Sequence, residues 1–314
     1  MPKRTVVALV CAGLALAAVG ASAQQSGPDA NAGTGSGTPS GPRRASYEPA
    51  STRVTFPSLD GKTTLVGYLF APVDGARGPR PAVVMMHGRA GPYSSAANGR
   101  YDATTLSKRH EAWGEYWAGQ GYVALLVDSF GPRGYPQGFG IHSYTDRPDE
   151  VNEVTVRPRD AYGALVLLRT LGSVDPARIA LQGWSNGGSA TLATMSDAVF
   201  AENRDAVKRG FVGAISFYPA CGLHDRFAAG YRPYAPVRVF SGDNDEEVSY
   251  KRCAALVDGS ASAGGAIRMD IFPGATHGFD DPGLKRQRLA ANRHATEAAL
   301  ERARRFFAGL FERD

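Results

Sequence analysis

The sequence predicts an α/β fold, a doubly wound and mostly parallel sheet in one domain without a large cap. Three observations carry this. Continuous apolar runs at 82–86 (AVVMM) and 122–128 (YVALLVD) have the composition of strands buried on both faces. Strand-like runs alternate with stretches of helical character along most of the chain. At 43% hydrophobic and 21% charged, the 314 residues supply enough core for one large domain.

Taken in order, residues 54–58 and 64–71 read as a hairpin turning at Asp60-Gly61. The run 82–86 is a central strand that ends in His87-Gly88-Arg89-Ala90-Gly91. A helix is expected from about 104 to 120, with Trp113, Tyr116 and Trp117 on one side and Gly121 as its stop. The strand 122–128 follows, then a long loop, 129–152, rich in Gly, Pro and aromatics. Pro158 suits the first turn of a helix that reaches about 171. Residues 179–181 form a strand, and a small-residue helix with Ala190, Leu192, Ala193 and Met195 begins after Ser185. Further strands are expected at 211–218, 237–240 and 267–272, with a helix at 250–257. Residues 284–311 read as one long amphipathic helix with Leu289, Leu300, Phe307 and Leu310 near one face, its basic residues solvated.

The first 23 residues read as a secretory signal: Lys3-Arg4, an apolar run over 6–20 too short to span a membrane stably, and an Ala21-Ser22-Ala23 cleavage site. A lipoprotein reading through Cys11 is weaker, because Val10 is bulky where a small residue is wanted. Export to the periplasm or the medium is therefore expected. Residues 24–46 are Gly/Ser/Pro-rich and read as a disordered linker, which leaves 47–314 as the folded domain. Formal net charge is +5, or +3 (5 − 2) once Lys3 and Arg4 are gone. The basic residues are mixed with acids and form no stripe with interleaved aromatics, which argues against nucleic acid as a partner. Oligomeric state is left open. Two cysteines remain after cleavage, Cys221 and Cys253, and an even pair in an exported chain suggests one disulfide.

The chemistry centres on Gly183-Trp184-Ser185-Asn186-Gly187, a G-x-S-x-G turn between strand and helix. That is the context of a nucleophile elbow. A Cβ at either glycine would crowd the turn. The helix aims its first N–H groups and its positive dipole end at any anion forming on a substrate. A bare match of this pattern is usually a small-residue turn; its setting and its partners mark it out. An acyl-transfer serine needs a base and a group that orients the base, at the ends of later strands, in the order Ser, Asp/Glu, His. After 237–240 comes Ser241-Gly242-Asp243-Asn244-Asp245, and after 267–272 comes the turn holding His277-Gly278-Phe279. The expected catalytic set is therefore Ser185, Asp245 and His277. Asp245 is favoured over Asp243 because it has room to turn back; Asp243 is then a turn residue that bonds its own backbone. The oxyanion hole is expected from the backbone N–H groups of Asn186 and Arg89, with His87 bracing the second. The six histidines show no close ligand spacing, so neither metal nor cofactor is expected.

From about Thr52 to the C-terminus the chain resembles the dienelactone hydrolase family of α/β-hydrolases. The stretches that carry the resemblance are MMHGRAG, GYVALLVDSFGPRG, RPRDAYGALVLLR, RIALQGWSNGG, FYPACG, SGDNDEEV and GATHGF. The resemblance implies an α/β-hydrolase sheet, the acid in the G-x-x-D turn and the base in the H-x-F turn, in agreement with Asp245 and His277. It also implies that Cys221 and Cys253 pair, as in exported relatives. Dienelactone hydrolases proper use a cysteine nucleophile, and Ser185 departs from that. A serine that depends wholly on its histidine suits general carboxylic-ester hydrolysis.

The leading expectation is a secreted serine hydrolase that cleaves a small carboxylic ester or lactone through an acyl-enzyme on Ser185. A small serine peptidase is a second reading, weakened by the lack of a gating domain. A non-catalytic binding protein on the same scaffold is a third, and would be expected to lose a triad member. The loop 129–152 leaves the sheet edge where ligands of open α/β sheets bind. Phe130, Tyr135, Phe139 and Tyr144 are expected to offer apolar contact there. Arg133 and Arg147 are candidates for a substrate carboxylate, with a structural ion pair as the plainer reading of both.

Overall fold

The computed structural model describes residues 51–72, 74 and 78–312. The expected signal (1–23), linker (24–46) and start of the domain (47–50) lie outside the described residues. In chain order the elements are β1 (Thr52–Pro57), β2 (Thr64–Phe70), β3 (Arg80–Met86), α1 (Lys108–Gly119), β4 (Val123–Asp128), α2 (Arg157–Thr170) and β5 (Val174–Trp184). Then come α3 (Asn186–Met195), α4 (Asp197–Val207), β6 (Ala214–Phe217), β7 (Val237–Gly242), α5 (Tyr250–Ser262), β8 (Ile267–Phe272), α6 (Leu284–Gln287) and α7 (Ala290–Phe311).

The eight strands form one sheet in the order β1-β2-β4-β3-β5-β6-β7-β8. The β1–β2 and β2–β4 pairings are antiparallel and the rest parallel, from β4–β3 through β7–β8. Alternation along each strand divides the core. Ala82, Val84 and Met86 of β3 join Val123, Leu125 and Val127 of β4 on the face covered by α2, α3 and α5. Val83, Met85, Ala124 and Leu126 face the opposite way, under Trp113 and Trp117 of α1 and Ala299, Ala303 and Phe307 of α7. A sheet covered on both faces needs its central strands apolar throughout, which is why those runs are continuous. All described residues belong to one compact unit.

Several expected elements differ in extent. The helix expected from 104 begins at Lys108, because the Asp102 side chain accepts the Thr104 N–H and closes a separate short turn at Ala103–Thr105. The strand expected over 211–218 is limited to Ala214–Phe217. The helix α4 was not foreseen. The long C-terminal helix is two helices: Leu289 is extended and 47% exposed, outside the apolar face assigned to it. The break has a cause in the buried Asn292. Its Nδ2 donates to Arg286 O at the end of α6, while its Oδ1 accepts the Thr276 N–H at 3.0 Å, tying α7 to the turn beside His277.

Candidate active site

Ser185 sits at the β5–α3 junction with φ 52° and ψ −116°, a conformation rare for a residue with a side chain. The surroundings hold it there. Its N–H donates to Phe217 O of the neighbouring strand end at 2.9 Å. A Cβ on Gly183 would collide with Gly187 O, and one on Gly187 with Met86 O and His87 O. Both glycines are thus required by close backbone approach.

The three polar side chains expected to act together meet. Ser185 Oγ lies 3.0 Å from His277 Nε2, and His277 Nδ1 lies 2.9 Å from Asp245 Oδ2. A carboxylate only accepts, so Nδ1 carries the proton and Nε2 is left to accept from the serine hydroxyl. Asp245 is held by the N–H groups of Glu247 and Val248, both at 2.9 Å to Oδ1. Asp243 is spent elsewhere: its Oδ1 accepts the Gly274 N–H at 2.5 Å, bracing the next turn and not bonding its own backbone. His277 is fixed from its backbone as well, its N–H donating to Glu246 Oε2 at 2.9 Å.

Asn186 opens α3 directly after the serine, and Arg89 is the third residue of the loop after β3. Among the described residues neither backbone N–H has a protein acceptor, which suits a pair of oxyanion donors. His87 is fully buried and braces the second strand end. Its Nδ1 donates to Gly88 O at 2.7 Å, its Nε2 accepts the Ser129 N–H at 3.2 Å, and burial holds its pKa well below the usual imidazole value.

Beside Ser185 opens a cavity of about 440 Å³, lined in part by Ile141, Tyr144, Arg147, Val248 and Arg252. Here several expectations are corrected. Of the six residues proposed to contact substrate, Tyr144 and Arg147 line this cavity and the other four do not. Phe130 is fully buried against His87, Phe139 and the Arg157 guanidinium. The Tyr135 and Phe139 rings pack together at a tilt, 5.3 Å between centroids, and Tyr135 Oη donates to Glu150. These rings form a small core for the loop itself, since a segment of this length needs one to hold a shape. Arg133 makes a two-pronged pair with buried Asp160, 2.8 Å on each side, and is not free for a ligand. Arg147 does line the cavity, with its Nε on Ser143 Oγ and its guanidinium over Tyr144.

Three residues not singled out in the sequence support the site. The Arg157 guanidinium is buried and donates to both segments expected to form the oxyanion hole, to Asn186 Oδ1 and, at 2.8 Å, to His87 O. Burial draws its pKa down to about 10, which still leaves it a cation at neutral pH. Asp280 accepts from Trp184 Nε1 at 2.8 Å, Trp113 Nε1 at 2.9 Å and Tyr218 Oη at 2.5 Å. Trp184 precedes the serine, and the Tyr218 ring packs 4.6 Å from that of His277, so one carboxylate sets the spacing of both. Glu247 takes Arg89 on both oxygens, at 3.1 and 2.9 Å. The signals for these were only proximity in sequence: two residues past Asp245, three past His277, and the first Arg of RPRD.

Cys221 and Cys253 form a disulfide with Cα atoms 5.0 Å apart. It links the turn after β6 to α5, and Cys221 lines the cavity. No group of three or more His, Cys, Asp and Glu that could hold a metal occurs among the described residues.

A serine, histidine and aspartate joined in this order at the strand ends of such a sheet define a hydrolase of the α/β-hydrolase superfamily. The chain belongs to the dienelactone hydrolase family, whose model matches residues 65–311, and with that it is a carboxylic-ester hydrolase. Solved structures share the fold. The apo form of Thermogutta terrifontis esterase 2 is 22% identical, covers 87% of this chain and 99% of its own, and gives a TM-score of 0.60. A dienelactone hydrolase-like promiscuous phosphotriesterase from metagenomic libraries is 20% identical over 83% of this chain and 99% of its own, with a TM-score of 0.56. The Thermogutta esterase phosphorylated by paraoxon is 21% identical over 82% and 96%, with a TM-score of 0.54.

Proposed function

We propose that this chain is an exported serine hydrolase that cleaves a small carboxylic ester or lactone through an acyl-enzyme on Ser185. The observation that supports it is the unbroken line Ser185 Oγ, His277, Asp245 at 3.0 and 2.9 Å. In this reading Ser185 attacks the carbonyl and His277 Nε2 takes its proton and returns it to the leaving alcohol. Asp245 keeps the imidazole in the required tautomer, and the N–H groups of Asn186 and Arg89 receive the oxyanion. Water then releases the acid by the same route. Export rests on the signal-like residues 1–23, with 24–46 as a linker, and is supported by the disulfide.

The cavity also favours a class of substrate. Arg147 and Arg252 line it and neither makes a salt bridge to a carboxylate among the described residues, although Glu153 and Glu247 line the cavity as well. Burial holds the Arg147 pKa below its usual value, so an anion beside it would restore what desolvation removes. An ester or lactone that carries a carboxylate fits these two cations. The deciding experiment treats the mature protein with a fluorophosphonate probe and with p-nitrophenyl esters, lactones and monoesters of dicarboxylic acids. Covalent labelling at Ser185 with ester turnover is expected; a Ser185 that stays unlabelled while the protein is folded would end the reading.

A further inference from the structure

We propose that Glu247 is a further catalytic residue, one that receives and orients the water that releases the acyl group. The inference rests on the acyl-enzyme reading above. Glu247 lies two residues beyond Asp245, yet its carboxylate comes round to the nucleophile's side of the histidine. Its Oε2 stands 3.7 Å from His277 Nε2, the nitrogen that faces Ser185 Oγ. The side chain is 11% exposed and lines the same cavity as Ser185.

A bare carboxylate in this place would oppose the negative tetrahedral intermediate. The Arg89 guanidinium, bonded to both oxygens, makes the pair neutral overall. The same grip fixes the plane of the carboxylate and uses one lone pair of each oxygen, so Oε2 keeps a second. A separation of 3.7 Å is too long for a direct hydrogen bond to Nε2. A water bonded to both atoms at ordinary lengths closes a triangle on that side.

The leaving alcohol vacates the space beside Nε2 once it has taken its proton. A water that enters there gives one proton to Nε2 as its oxygen bonds the acyl carbon, and the carbonyl π pair moves to oxygen. Its other hydrogen points at Glu247 Oε2, which accepts a hydrogen bond and no proton. The tetrahedral adduct then re-forms the carbonyl and expels Ser185 Oγ, which takes the proton back from Nε2. Protons and electron pairs balance with water as the sole added reactant. Glu247 thus acts in the second half-reaction, while the first proceeds without it.

That asymmetry is what the test reads. Glu247→Gln and Glu247→Asp are compared with the wild-type protein in three measurements: labelling of Ser185 by a fluorophosphonate, pre-steady-state release of p-nitrophenol from p-nitrophenyl propionate, and intact mass during turnover. For Glu247→Gln, labelling and the first turnover are expected within about threefold of wild type. Steady-state turnover should fall by roughly 10- to 100-fold, at or below the low end of what a positioned acid–base group supplies. KM should fall with it, propionylated protein should accumulate, and hydroxylamine, a stronger nucleophile than water, should restore turnover. Glu247→Asp keeps the charge but retracts it, and should accumulate a smaller fraction of acyl-enzyme; it also decides the matter if the Gln variant does not fold. Labelling and turnover that slow in parallel would overturn the proposal, leaving Glu247 as a support for Arg89. Unchanged turnover in both variants would overturn it as well. A wild-type protein that neither labels nor acylates would instead remove the reading beneath it.

Discussion

Proton transfer at a serine depends on which imidazole nitrogen bears the proton, and here one carboxylate decides it. Asp245 has Oδ1 saturated by two backbone N–H groups and presents Oδ2 alone to His277 Nδ1. Asp243 faces Gly274. Ser185→Ala or His277→Ala should therefore lower kcat by roughly 10⁴ or more with the fold retained, because the members act as a unit. Asp245→Asn should be far more damaging than Asp243→Asn in a steady-state ester assay; the reverse order would show the wrong acid has been assigned. These residues were legible because each sits in a turn whose chemistry is local: a strand end, one or two glycines, one polar side chain. Arg157 and Asp280 were not. Their work is done on residues far off in the chain, Arg157 on Asn186 and His87, Asp280 on Trp184 and Tyr218, and no spacing in the sequence announces such a meeting.

The loop over 129–152 shows the same limit among elements. Its position at the site followed from topology, but which of its aromatics turn inward did not. Four aromatic residues close together satisfy either a ligand or the loop's own packing, and three of them, Phe130, Tyr135 and Phe139, serve the loop. Phe130→Ala should lower Tm, as a buried aromatic truncation costing about 3–5 kcal/mol does, and alter all esters alike. Tyr144→Ala should leave Tm nearly unchanged and shift KM unevenly across an ester series; a uniform change for Tyr144→Ala would remove it from the binding wall. The disulfide joins two segments that both contribute to the cavity lining, closing a separation of 32 residues. Its loss in a Cys221→Ser, Cys253→Ser double variant should cost roughly 3–4 kcal/mol in the chain-entropy model, measured by urea unfolding. The break between α6 and α7 was hidden for a related reason: an amphipathic period continues across it, while the side-chain bonds of Asn292 and Arg293 to backbone groups at the break interrupt the helix.

For the molecule as a whole, the mostly parallel sheet with both faces covered was readable because continuous apolar runs have few uses in a chain of this kind, whereas the order of its strands was not. Two buried histidines add a property that composition does not display. Burial holds His87 well below the usual imidazole pKa and takes His110 down to about 3. A lowered folded value means the unfolded chain binds more protons between that value and about 6.5, the unperturbed imidazole pKa. Stability from these groups is full above about pH 6.5 and is lost as pH falls, at about 1.4 kcal/mol per pH unit for each site. Thermal melts from pH 7.5 to 4.5 should show Tm falling below pH 6.5, with a shallower slope in His110→Gln; parallel slopes would exclude His110 as a source. The clustering of indoles has an optical consequence. The chain contains three tryptophans, and all three, Trp113, Trp117 and Trp184, are buried in the layer under α1 and α7, none in the layer under α2, α3 and α5. Intrinsic emission is thus a one-sided gauge, blind to half the core, and with two indoles on Asp280 it registers the surroundings of the nucleophile turn without any attached dye.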